Sequence, residues 1–172
     1  VDTPSGEIFL NIFNTPLRMI IVGAVHIAQA LEPIAQTAGF AVSIIDPRGA
    51  FADAERFEGI DITEDWPDDA LNATPPDART AVITLTHDPK LDDAALIVAL
   101  ASSAFYVGSL GSRKTHAARI ERLTRLGINK DTLARINAPV GLNIGAQSAA
   151  EIAISIMAQV IEQLRRDPKD PT

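Results

Sequence analysis

No cysteine occurs in the 172-residue chain, so nothing in it implies disulfides, thiolate metal chemistry or sulfur carried on its own side chains. No apolar run approaches the roughly 18 residues that a membrane span requires, because Asp, Arg, Pro or Gly interrupts each one. The expectation is a soluble protein with no membrane partner. A basic-then-apolar leader is also lacking, which makes a cytoplasmic setting the default. The formal charge is −7, and the basic residues gather no further than the pairs Arg113-Lys114 and Arg165-Arg166. A chain of that sign repels phosphodiester backbones, so a nucleic-acid partner is excluded. Internal repeats and low-complexity stretches are missing as well. Val1 stands where Met would be expected, as in a processed chain or a fragment.

What remains is an apolar content of 47%, enough for one well-buried core and too short a chain for two. We expect an N-terminal arm over 1–16 with an extra strand from Glu7 to Phe13, one domain over 17–165, and a disordered tail over 166–172 rich in proline and alternating charge. The run Met19 to Val22 reads as a strand that meets Gly23. Ile27, Leu31, Ile34, Ala35 and Ala38 then recur at helical spacing until Gly39 offers a left-handed stop, with Pro33 lying inside the helix. Ala41 to Asp46 is a β-branched run before Pro47, the mark of a buried parallel strand. Between Phe51 and Thr74 the pattern suggests a short helix near Ala52 to Phe57, a weak strand near Ile60 to Ile62 and a short helix after Pro67. Thr80 to Leu85 and Ala104 to Gly108 read as strands; Leu91 to Ala101 and Ser112 to Leu126 read as helices, the second closed by Gly127. Ser148 and Glu151 form a capping box ahead of a last helix whose stripe is Ile152, Ile156, Met157, Val160, Ile161 and Leu164. Strands and helices alternating at this spacing predict an α/β fold: a three-layer, Rossmann-like, mostly parallel doubly wound sheet.

Three stretches that follow predicted strands carry the polar chemistry. The first, Gly23-Ala24-Val25-His26, matches a dinucleotide turn at its first glycine and, allowing alanine, at its third position with Ala28. Val25 stands where a second glycine would let a pyrophosphate approach the backbone, which argues against an ordinary NAD pose. Asp46 ends the next strand at the separation expected of a ribose acceptor, or else caps the turn before Pro47. Arg48 would meet an extra phosphate or be solvated. The second stretch, Thr86-His87-Asp88, places a hydroxyl, an imidazole and a carboxylate at the crest of the sheet, where open α/β folds bind ligands. Asp88 and Pro89 also serve as a helix start. The third, Gly108-Ser109-Leu110-Gly111-Ser112-Arg113-Lys114, combines a sharp turn, an N-cap and two bases, and reads as the best anion site in the chain or else as a glycine-rich turn with two solvated bases. His26, His87 and His116 fall on one predicted edge, though His116, spaced with Ile120 and Leu123, also reads as a partly buried helix residue; their spacing does not establish a metal site, and none is expected.

Taken together, Ile21-Val-Gly-Ala-Val-His26, Val42 to Arg48, Leu85 to Asp93, Phe105 to Arg113 and Gly141 to Ala146 resemble the C-terminal Rossmann domain of the XdhC/CoxI family, the accessory proteins of xanthine dehydrogenase and related molybdenum hydroxylases. The resemblance spans about Glu7 to Leu164. It implies a chain that binds the molybdenum cofactor, protects it while a cysteine desulfurase installs the terminal sulfur, and passes it to the apo-hydroxylase: a cofactor-binding chaperone rather than a catalyst. On that reading the loop from Gly108 to Lys114 holds the phosphate, while His26, His87 and Asp88 face the metal-bearing end. Two other classes stay open on the residues alone. One is an NAD(P)-dependent oxidoreductase with His87 as proton donor; the other is an interaction module with a vestigial nucleotide site that forms a homodimer through the last helix.

Overall fold

The structure is a computed structural model that describes residues 2–3, 6–7, 15–49, 57 and 59–166. The predicted helix from Ala52 and the tail beyond Arg166 lie outside the described residues, as does the predicted N-terminal strand apart from Glu7. Glu7 belongs to a two-residue strand, β2 (Gly6–Glu7), paired antiparallel with β1 (Asp2–Thr3) and separate from the main sheet.

The main sheet holds six strands, all parallel. In chain order the elements are β3 (Leu17–Val22), α1 (His26–Thr37), β4 (Phe40–Ile45), β5 (Asp61–Thr63), α2 (Pro67–Ala73) and β6 (Thr80–Thr84). There follow α3 (Pro89–Ala101), β7 (Tyr106–Ser109), α4 (Arg113–Arg125), α5 (Lys130–Leu133), β8 (Ile136–Asn137) and α6 (Ala149–Arg165). Across the sheet they run β5-β4-β3-β6-β7-β8. The order reverses between β3 and β6, which opens a crevice at their carboxyl ends.

Alternation along the strands divides the core into two layers. Met19, Ile21, Val42, Ile44, Ala81 and Ile83 face α1 and α6, meeting Ala28, Leu31, Ala153, Ile156 and Val160. On the other side Val82 and Val107 meet Leu96, Leu100 and Leu123 of α3 and α4, and Ile20, Val22 and Ile45 meet Leu71 of α2. The three-layer doubly wound architecture expected from the sequence is thus present, with the main sheet fully parallel.

Helix α1 accommodates Pro33 on its exposed side and ends at Gly39, whose φ of +87° is the left-handed stop. Two short elements, α5 and β8, were not anticipated. In α6 the predicted stripe requires one correction: Ile161 is 41% exposed, because it lies two turns beyond Ile154 on the outward side, while Ala153, Ile156, Met157 and Val160 turn inward.

The capping box of α6 is complete. Ser148 Oγ accepts from the Glu151 amide, and Glu151 Oε2 accepts from the amides of Ser148 and Gln147. Replacing Ser148 by Ala is expected to cost about 1 kcal/mol, read as a fall in melting temperature of roughly 2–4 °C for a chain of this size. No change would mean that the box leaves the helix start unaffected.

Candidate functional site

Since β3, β6 and β7 lie side by side and point the same way, the loops leaving their carboxyl ends share one rim. Backbone bonds stitch those loops to neighbouring strands: Gly23 N–H donates to Ile45 O, Leu85 N–H to Val22 O, and Leu110 N–H to Thr84 O. Gly23, His87 and Arg113, far apart in sequence, are therefore on one edge.

Gly23 adopts φ +113°, and a methyl group built on it would lie 2.8 Å from Thr86 Cγ2. Its hydrogen is what lets the first loop close against the second. The next amide, Ala24 N–H, donates to Asp46 Oδ2 at 2.8 Å. Asp46 is completely buried, and its carboxylate also accepts from Arg48 through the amide, Nε and Nη2. Burial pushes this carboxyl up, but the hydrogen bonds from Arg48 and Ala24 prevail and hold it below the usual range. Asp46 is an internal tie between the first turn and Arg48. Arg48 itself is paired rather than simply solvated, its side chain 30% exposed.

Helix α1 begins without a side-chain cap. Val25 is its N-cap residue, makes no capping hydrogen bond, and is followed by no acid in the first turn. The longer helices α3, α4 and α6 start on Asp88, Ser112 and Ser148, each of which caps with its side chain. The start of α1 therefore presents amides and a positive dipole end beside the crevice, with His26 exposed at its first position.

In the second loop Thr86 is buried; its hydroxyl donates to Asp92 Oδ1 at 2.7 Å and accepts from the Asp88 amide. Asp88 accepts from the Lys90 amide and starts α3. Between them His87 is exposed at φ +63°, the sole described non-glycine residue with a positive φ. That conformation costs roughly 1–2 kcal/mol for a residue with a Cβ and is sustained where the surroundings dictate it.

The third loop is shorter than expected. Gly108 and Ser109 are buried strand residues of β7: a methyl group on Gly108 would sit 2.7 Å from Val140 Cγ2, and Ser109 Oγ lies 2.5 Å from Thr84 Oγ1. The exposed part begins after Leu110, with Gly111 at φ +138°, Ser112 capping α4 through Thr115 N–H, and Arg113 and Lys114 open to solvent.

His116 does not join the other two histidines. It lies in the second turn of α4 and lines a groove of about 540 Å³ with Ile120, Leu133 and Ile136. Burial, followed by the nearby Arg119, pushes its pKa down. Among the described residues no group of three potential metal ligands converges.

Two residues that belong to this edge were not picked out from the sequence. Asp92 of α3 and Arg119 of α4 are each about 2% exposed in their side chains and stand 3.7 Å apart, beneath the second and third loops. Their signal was present as charge on an apolar stripe: Asp92 shares a helix face with Ala95, Leu96 and Ala99, and Arg119 with Leu123.

The donor set of the rim consists of backbone amides, Arg48, Arg113, Lys114 and exposed imidazoles. It suits a phosphate and the hydrogen-bonding edge of a heteroaromatic ring. It offers no soft ligand to a metal, which would remain on ligands of its own.

The sequence profile described as the XdhC Rossmann domain matches residues 19–160. The chain is 32% identical over 148 residues to the molybdenum cofactor insertion chaperone PaoD of Escherichia coli (strain K12), covering 86% of this chain and 40% of that protein. It is 28% identical over 161 residues to a probable xanthine dehydrogenase subunit of Bacillus subtilis (strain 168), covering 93% of this chain and 47% of that protein. A crystal structure of a xanthine dehydrogenase from Bacillus halodurans superposes with a TM-score of 0.74 at 32% identity, over 90% of this chain and 45% of that one. The chain spans less than half the length of these relatives.

Proposed function

The chain belongs to the XdhC family through its Rossmann domain, and from that premise we propose that it holds the molybdenum cofactor at the carboxyl rim of its sheet during maturation and delivery to a xanthine dehydrogenase or related molybdenum hydroxylase. The observation that carries this reading is local positive character on an acidic body. An uncapped α1 start and the Arg113-Lys114 pair of α4 flank the Thr86–Asp88 loop on one rim of a chain whose formal charge is −7.

In this reading the α4 start with Gly111, Ser112, Arg113 and Lys114 takes the phosphate, and the α1 start at Val25 and His26 supplies further amides, with Gly23 and Ala24 shaping the turn through their bonds to Ile45 and Asp46. Gly108 and Ser109 shape the strand end beneath them. Thr86, His87 and Asp88 lie between these two helix starts, with His87 and His26 toward the metal-bearing end, while Asp46 acts through Arg48. When bound, the cofactor supplies the metal-centred chemistry of the client enzyme. The chain's own residues bind, orient and shield. With no cysteine present, the sulfur comes from a desulfurase partner rather than from a persulfide on this chain. Ile154 and Ile161, exposed on α6, are the face a homodimer would use. The relative from Escherichia coli, named as a cofactor insertion chaperone, supports this class of function over an NAD(P)-dependent oxidoreductase. So does the engagement of Asp46, whose carboxylate is already committed to Ala24 and Arg48.

Replacing Arg113 and Lys114 together by Ala removes two charge-assisted contacts, each worth about 1 kcal/mol at so exposed a position. Affinity for the cofactor is expected to fall at least tenfold in a titration, and the remaining binding to depend less steeply on salt. Unchanged affinity would remove the phosphate assignment. Tight NADH binding in a parallel fluorescence titration, with no pterin in the denatured extract of freshly isolated protein, would favour the oxidoreductase instead.

A further inference from the structure

We propose that the buried Asp92–Arg119 pair is a positioning device: it fixes the His87 loop and the Gly111-Ser112 turn relative to each other so that the rim is formed before cargo arrives, while touching no cargo itself. The proposal rests on the rim being the binding edge.

A continuous polar chain runs under the two loops. Thr86 Oγ1 donates to Asp92 Oδ1 at 2.7 Å, Asp92 Oδ2 faces Arg119 Nη2 at 3.7 Å, and Arg119 Nη2 donates to Leu110 O at 2.9 Å. At one end Thr86 also accepts from the Asp88 amide, so both neighbours of His87 are tied and its left-handed backbone is held. At the other end the Leu110 carbonyl fixes the entry to the turn, and a methyl group on Gly111 would lie 3.8 Å from Arg119 Nη2. Thr86 further presses on Gly23, which brings the α1 start into the same linkage.

The pair is poorly built for stability. Its separation exceeds a good hydrogen bond, and Arg119 Nε and Nη1 are buried without a partner among the described residues. Burial pushes the Asp92 carboxyl up even though Thr86 and Arg119 oppose it, and pushes the Arg119 guanidinium down even though Asp92 and Asp93 oppose it. Desolvation thus outweighs the attraction, the situation in which two apolar residues of similar size usually serve a core at least as well. Two charges kept at that disadvantage, directly beneath a strained residue, make sense as a specification of loop geometry.

The test is the double variant Asp92→Leu/Arg119→Met, which leaves no lone buried charge. Its melting temperature is expected to equal or exceed that of the parent. Amide hydrogen exchange at Asp88 and Leu110, whose N–H groups donate to Thr86 Oγ1 and Thr84 O, should accelerate tenfold or more, and affinity for a phosphorylated pterin, followed by the pterin's own fluorescence, should fall about tenfold. Parent-like exchange at those amides would overturn the proposal, as would parent-like affinity in a variant whose parent binds. A lower melting temperature with unchanged loop exchange would mark the pair as merely structural and also overturn it. Should the parent itself not bind the pterin, the cofactor reading fails, and the exchange rates still decide this one.

Discussion

Replacing Gly23 by Ala is expected to destabilise the fold by about 3 kcal/mol or more, from backbone strain plus overpacking that each contribute roughly 1–3 kcal/mol. At φ +113° an L residue is strained whatever the space, and the new methyl would meet Thr86 Cγ2 at 2.8 Å and the Thr86 amide nitrogen at 3.2 Å. Thr86 has little room to yield, because its hydroxyl is tied to both Asp92 and the Asp88 amide. Urea unfolding measures the loss. Adding Thr86→Ser removes the nearest methyl while keeping the hydroxyl, and should recover about 1 kcal/mol, one methyl's worth of crowding, while the strained φ and the backbone approach remain. Gly39→Ala is the contrast: φ is also positive there, but nothing lies within 4 Å, so the change should stay near 1 kcal/mol. If Gly23→Ala and Gly39→Ala behave alike, the close approach of the first two loops does not govern the rim.

That close approach was half legible beforehand. A glycine at the end of the Met19 to Val22 run announces a strand-to-helix turn, and the alternation of strands and helices announces a parallel sheet whose loops share an edge. Both follow from apolar period and glycine placement, and both hold. Elements too short to express a period escaped: α5 is one turn and β8 two residues. Boundaries slipped by a residue where a loop and a strand meet: the sequence ends the strand at Gly108, yet Ser109 also lies within β7, with Gly108 packed against Val140 and Tyr106.

The candidate site was legible in its exposed donors and not in its internal ties. Arg113, Lys114 and His87 stand out as charge and imidazole placed after a strand, and a helix start explains Asp88 but not His87. Asp46 looked equally suited to a ribose and to a turn, since sequence separation does not tell whether a carboxylate turns outward or in. Its inward turn toward Ala24 and Arg48 is a tertiary fact. Asp92 and Arg119 escaped although each puts a charge on the apolar stripe of its own helix, because that signal does not name a partner. Only when α3 and α4 are packed do the two become one buried pair. Of the two readings His116 allowed, the partly buried helix residue spaced with Ile120 is the one observed: it faces a groove behind α4 and not the edge shared by His26 and His87.

Splitting the buried pair should be far more damaging than removing it whole, and unequally so for its two members. Asp92→Leu strands a guanidinium that does not release its proton. Asp93, its other acidic neighbour, is already held by Arg122 at 2.6 and 3.0 Å, so a loss of about 3–5 kcal/mol is expected at every pH. Arg119→Met strands a carboxyl instead, and a carboxyl has an escape. Burial already pushes Asp92 above its ordinary value, and without Arg119 it rises further. A folded-state pKa above the unfolded one means that the folded chain binds the extra proton between those two values. Stability therefore falls as pH rises through that window and is regained on acidification. The deficit of Arg119→Met relative to the parent should be large near neutral pH and should shrink or reverse as the solution is made acidic. That of Asp92→Leu should show no such relief. His87, Arg48 and Arg122, the other charged or titratable groups facing Asp92, are common to all three proteins. So are Asp46, Asp77 and Glu151, whose lowered pKa values weaken every variant alike in acid; differences from the parent cancel them. Thermal unfolding between about pH 4.5 and 8 reads the two curves, and parallel curves would mean that Asp92 stays charged without its partner, against the burial that defines the pair.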